Sequence, residues 1–87
     1  MAENIALKHT LDQLRPGQTA IVTALKVTGP NRRRMMDLGI LPGTTIVVEF
    51  RSPLGDPIAY RVRGAVVALR GKQARDIEIE IQDENHS

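Results

Sequence analysis

The stretch from Arg32 to Arg70 constrains the fold of this chain more than any other part of it. It holds a short helical pattern, a Leu-Gly-Ile-Leu-Pro-Gly corner and a Ser-Pro-Leu-Gly-Asp-Pro loop, with strand-forming residues filling the intervals. Proline fixes φ at the second position of a turn and glycine supplies a positive φ at the next, so Pro42-Gly43 reads as a sharp lead into the segment Thr44 to Arg51. Pro16-Gly17 introduces Thr19 to Val27 in the same way. In the first of these segments Ile46, Val48 and Phe50 point one way and Val47, Glu49 and Arg51 the other. Ile58, Tyr60 and Val62 alternate likewise with Ala59, Arg61 and Arg63. Pro53, Gly55 and Pro57 stop both runs, which makes Ser52 to Pro57 the loop of a hairpin with one apolar and one charged face.

Gly29-Pro30-Asn31 leads into Arg32 to Leu38, a helix of about two turns, with Asn31 as N-cap and Gly39 as left-handed C-cap. On a wheel of roughly 100° per residue, Met35, Met36 and Leu38 share the core-facing arc, and Arg33, Arg34 and Asp37 face away. Gly64 precedes Ala65 to Leu69, an apolar run that suits a strand buried on both sides or turning a barrel corner. Arg70 to Asp76 reads as one helical or 3₁₀ turn, and Ile77 to Ile81 alternates Ile with Glu as a last strand. Asn4 to Leu14 is an irregular lead-in, where Thr10 or Asp12 can cap a turn that ends before Pro16. The expected fold is mainly β: a small, partly open five-stranded barrel with one short helix after the first strand. Residues 1–12 form the lead-in, 13–82 the domain and 83–87 an acidic, disordered tail.

Composition narrows the function. At 87 residues the chain makes one domain, and 41% hydrophobic content with one Phe, one Tyr and no Trp makes its core aliphatic. No cysteine is present, so disulfides and thiolate chemistry are excluded. The serines are Ser52 and Ser87 and the histidines His9 and His86, near opposite ends of the chain, so no nucleophile has a base beside it in sequence; the chain is not expected to be an enzyme. The N-terminus has no basic leader with an apolar run, and no segment approaches the roughly 20 apolar residues of a membrane span, so a cytoplasmic location without membrane insertion is expected.

Twelve basic and ten acidic residues leave a net charge of +2. Their distribution is uneven: Arg32, Arg33 and Arg34 cluster, Arg61, Arg63, Arg70, Lys72 and Arg75 follow, and Glu78, Glu80, Asp83 and Glu84 make the end acidic. The arginine cluster reads as a solvated helix face or as a contact for phosphate, nucleic acid or an acidic protein surface. Cations in a first helical turn oppose the helix dipole, which Arg33 and Asp37 at four-residue spacing offset in part. Phe50 and Tyr60, placed in the core by alternation, leave no ring to stack bases or to wall a groove for proline-rich peptides, so no nucleic-acid partner is expected. Asp37, Glu49 and Asp56 could converge on a hard cation but lack regular spacing. No cofactor is expected, and a divalent metal would be contacted at most weakly. Asp56, between Gly55 and Pro57, is placed to bond its own turn backbone. Leu54, at the loop tip between Pro53 and Gly55, is expected to be exposed, and reads either as an anchor for a partner or as a side chain packed against the barrel mouth.

With these residues placed, the chain resembles the ferrous iron transport protein A family. The likeness rests on Arg34-Met35-Met36-Asp37-Leu38-Gly39-Ile40-Leu41-Pro42-Gly43-Thr44, then Pro53-Leu54-Gly55-Asp56-Pro57, then Arg61-Val62-Arg63-Gly64 and Ala68-Leu69-Arg70, and covers roughly residues 13 to 81. It implies an SH3-like domain and a cytoplasmic accessory protein of bacterial ferrous iron uptake. Its implied partner is a membrane GTPase permease, ferrous iron transport protein B, through that protein's cytoplasmic part. The chain agrees in having neither a phosphate-binding GxxxxGK[ST] loop nor a span of its own. The family implies no catalytic or ligand set, so the proposed contact surface is positional: Arg33 and Arg34 on the helix, Leu54 and Asp56 in the loop. A metal-sensing domain akin to the C-terminal part of iron-dependent repressors is the alternative.

Overall fold

The computed structural model describes residues 9–82. Strands β1 (His9–Thr10), β2 (Thr19–Leu25), β3 (Thr45–Arg51), β4 (Ile58–Val62), β5 (Ala65–Leu69) and β6 (Ile77–Gln82) form one antiparallel sheet in the order β1-β6-β2-β3-β4-β5, coiled but not closed. Helix α1 (Gly29–Asp37) follows β2, and a single turn, α2 (Gly71–Ala74), follows β5. The expected five strands are thus joined by a sixth, two residues long. His9 and Thr10, expected in the lead-in, pair with Ile79 and Glu78, and a 3₁₀ turn (Leu11–Gln13) capped at Thr10 follows them. The tail expected at 83–87 and the first eight residues lie outside the described range.

The core is aliphatic, as composition requires. Leu11, Leu14, Val22, Met35, Ile40, Ile46, Val62, Ile77 and Ile79 are buried around Tyr60, and no polar or charged residue is buried among those described. Tyr60 aims its hydroxyl at the Leu11 carbonyl, 3.4 Å away. Burial pushes the pKa of this phenol up to about 12.

Strand alternation holds until it is interrupted. In β3, Val48 pairs with Tyr60 but Phe50 pairs with Ala59, so Glu49 is an extra residue in a β-bulge. Because side chains alternate with period two, one extra residue turns the rest of the strand over. Phe50, expected in the core, is 58% exposed on the outer face, and Ala59 opposite it is buried. The run Ala65 to Leu69, expected to be covered on both sides, is instead mostly exposed, with only Leu69 buried. Its position explains this: β5 ends the sheet, and among the described strands it pairs with β4 alone.

Both Pro-Gly turns form as expected, with Gln18 N–H donating to Arg15 and Thr44 N–H to Leu41. The turn between β4 and β5 has positive φ at both central residues, Arg63 (53°) and Gly64 (85°), as a two-residue type I′ turn requires.

Candidate interaction surfaces

Helix α1 begins three residues earlier than a cap at Asn31 would start it. Thr28 is the extended N-cap and Pro30 falls in the first turn, where its missing N–H removes nothing the helix would use. At the other end, Gly39 N–H donates to the Met36 carbonyl and Ile40 N–H to that of Met35, at 2.9 and 3.0 Å. This is a Schellman closure, and the residues at its two ends, Ile40 and Met35, are both buried in the core. Gly39 has a φ of 94°, and a Cβ built there would lie 2.8 Å from Cδ of Arg63, so the β4–β5 turn lays a side chain across the helix end.

The helix rests on the core through Met35, with Leu38 half-buried beside it. Met36, expected in the core, is one helical step of about 100° round from that contact and 42% exposed. Arg32 is not free: its guanidinium donates to the Leu25 carbonyl at 2.9 Å and ties the helix to the end of β2. Arg33 and Arg34 are exposed, and no acid lies in the first turn. Arg33 and Asp37 make no ion pair with each other, but with Gly29, Arg32 and Met36 they line a depression of about 440 Å³. The lining thus sets one exposed methionine among two arginines and one aspartate, with a net positive charge.

The second surface is the β3–β4 loop. Ser52 N–H donates to Pro57 and Gly55 N–H to Ser52, which closes the loop on itself and leaves Leu54 92% exposed at its tip. Asp56 does not bond its own turn as expected. Its Oδ1 accepts the Gly71 N–H at 2.8 Å, so the carboxylate caps α2 and fixes the loop to it. Leu54 and α1 leave opposite ends of β3, separated along that seven-residue strand by roughly 20 Å. They are two exposed features, each anchored separately.

The three carboxylates weighed as cation ligands do not meet. Asp37 lies on α1, Asp56 caps α2, and Glu49 takes both arms of the Arg61 guanidinium at 2.9 Å. Hydrogen bonding to Arg61 holds the Glu49 carboxyl below its ordinary pKa and raises that of Arg61. No cluster of three or more His, Cys, Asp or Glu residues among those described could hold a metal ion. Beside this ion pair the outer face is apolar at Phe50 and Val66, both more than half exposed. Sequence reasoning missed Phe50 and Val66 as surface residues, because the bulge and the sheet edge that expose them leave no mark in the hydrophobic pattern, and missed Met36 because the helix meets the core through a narrower arc than the wheel suggests.

The described residues thus form a small, open, SH3-like domain with exposed apolar and cationic side chains on its surface. The FeoA domain model matches residues 9–81, and the chain belongs to the FeoA family. A fusion of Fe(2+) transport protein A with the Fe(2+) transporter FeoB from Porphyromonas gingivalis is 35% identical over 75 residues, covering 86% of this chain; the match spans only 9% of that protein. A FeoA-like protein from Clostridium acetobutylicum is 36% identical with a TM-score of 0.81, over 92% of this chain and 93% of the other. FeoA from Chlorobium tepidum is 33% identical with a TM-score of 0.83, over 90% and 74%. Below 25% identity the likeness is of fold alone. It reaches FeoA from Stenotrophomonas maltophilia, an SH3 domain protein (24%, TM-score 0.74, over 83% and 89%), and a manganese-dependent transcriptional repressor (22%, TM-score 0.76, over 88% and 43%). No helix among the described residues is long and apolar enough to cross a membrane.

Proposed function

We propose that this protein is a cytoplasmic accessory component of bacterial ferrous iron uptake that modulates the permease ferrous iron transport protein B by direct contact. The observation that carries this reading is the P. gingivalis relative, in which a domain 35% identical to this chain is covalently joined to the transporter. A domain kept in one polypeptide with its target acts at high effective concentration; the same contact made by a separate chain has to be held by its own surface. The exposed surfaces suit such a contact, with Arg33 beside Met36 and Arg34 exposed on the same helix for an acidic, partly apolar patch, and Leu54 on a loop tied to α2 by Asp56.

Pull-down with the permease's cytoplasmic part, together with uptake of radiolabelled Fe²⁺, tests both levels of the proposal. The wild-type protein is expected to bind and to support uptake. Leu54→Asp and the double change Arg33→Glu, Arg34→Glu are each expected to weaken both, with folding intact. If both variants bind and transport normally, this surface is wrong; if the wild type fails to bind, the contact mechanism is wrong.

A further inference from the structure

Strand β5 is the barest element of the molecule. Its residues, Ala-Val-Val-Ala-Leu, carry no charge and no proline, and its register with β4 runs unbroken from Val62–Ala65 to Ile58–Leu69, without the bulge that interrupts β3. Charge, proline, bulges and covering elements are the means by which edge strands avoid pairing with other chains, and β5 uses none of the first three. Because Val62 and Ala65 close a two-residue turn, hydrogen-bonded rungs to β4 fall at Ala65, Val67 and Leu69. Val66 and Ala68 therefore direct their N–H and C=O groups outward, and no other described strand receives them.

We propose that two copies of this chain pair antiparallel through β5 about a two-fold axis at Val67, forming a weak, reversible dimer with a continuous sheet. The sequence is self-complementary in that register. Val66 of each copy faces Ala68 of the other, so the outward groups meet as hydrogen-bonded rungs, and Ala65 faces Leu69. The flanking cations avoid each other: Arg70 falls opposite Gly64 and Arg63 opposite Gly71, so no like charges are directly opposed. On the outer face, the half-exposed Val66 of one copy extends the row Phe50–Ala59–Ala68 of the other, covering apolar surface that the monomer leaves in water. Five residues a side make a small interface, which is why the dimer is reversible. The pairing does not depend on the iron-transport reading.

Sedimentation equilibrium over a wide concentration range tests it. The apparent mass is expected to rise from 9.6 kDa toward twice that value. Val66→Pro removes only an outward N–H, a position where an edge strand tolerates proline, and Val66→Lys adds a guarding charge; both are expected to stay monomeric while keeping the wild-type circular dichroism and cooperative unfolding. The chain has no cysteine, so Val67→Cys supplies a register probe. It is expected to form a covalent dimer on oxidation, since Val67 faces itself across the axis, whereas Val66→Cys, offset by two residues, is not. A wild type that remains monomeric at every concentration overturns the proposal and leaves the edge to a strand from another protein. A dimer that survives Val66→Pro and Val66→Lys, or crosslinking by Val66→Cys in place of Val67→Cys, overturns it equally.

Discussion

Gly39 is required twice, by its own backbone and by a neighbour. Its φ of 94° is strained for any residue with a Cβ, and such a Cβ would also crowd Arg63. Gly39→Ala is expected to cost about 1–2 kcal/mol and to lower Tm by roughly 5–15 °C in a domain of this size. Calorimetry of the double variant Gly39→Ala, Arg63→Ala separates the two causes: relief of crowding should recover part of the loss, and the backbone share should remain. Tyr60 carries the pH dependence. Its folded pKa of about 12 lies above the ordinary 10.0, so the unfolded chain loses the phenolic proton first as pH rises. The stabilisation is therefore whole below pH 10 and is lost between 10 and 12. Urea unfolding across that window should show stability falling with pH, and Tyr60→Phe should remove this component of the slope.

Among the elements, the loop after β3 and the turn α2 stand or fall together through one hydrogen bond. Asp56→Ala is expected to cost about 1 kcal/mol, as loss of a helix cap does, while Asp56→Asn keeps an acceptor and recovers most of it; amide exchange at Gly71 reports the same loss directly. The two faces of β3 should also separate by mutation. Ile46→Ala, in the core, is expected to cost about 2–5 kcal/mol, and Phe50→Ser under about 1 kcal/mol, because only the first opens a cavity. The strands and turns were legible in the sequence, since alternation and Pro-Gly pairs are local signals. The bulge at Glu49 was not, because it is set by pairing with β4 across the loop and changes no residue type. The helix start was misplaced for a related reason: Pro30 reads equally as a stop before a helix and as a residue of its first turn.

At the level of the whole molecule, stability rests on pairings between distant parts of the chain. Strand β6 supplies Ile77 and Ile79 to the core and lies between β1 and β2, so truncation after Asp76 is expected to abolish cooperative unfolding by circular dichroism. Of the candidate site, the sequence showed the exposed Leu54 tip and the exposed Arg33 and Arg34. It could not show that Arg32 is spent on Leu25 or that Asp56 reaches Gly71, because these contacts join elements that only the fold brings together. That fold has a further consequence. His9 at the beginning of the described chain is the cross-strand partner of Ile79 near its end. The polypeptide thus arrives and departs side by side, so the domain is portable: it can be appended to a larger protein, or set into a loop of one, without a long tether and without disturbing a strand.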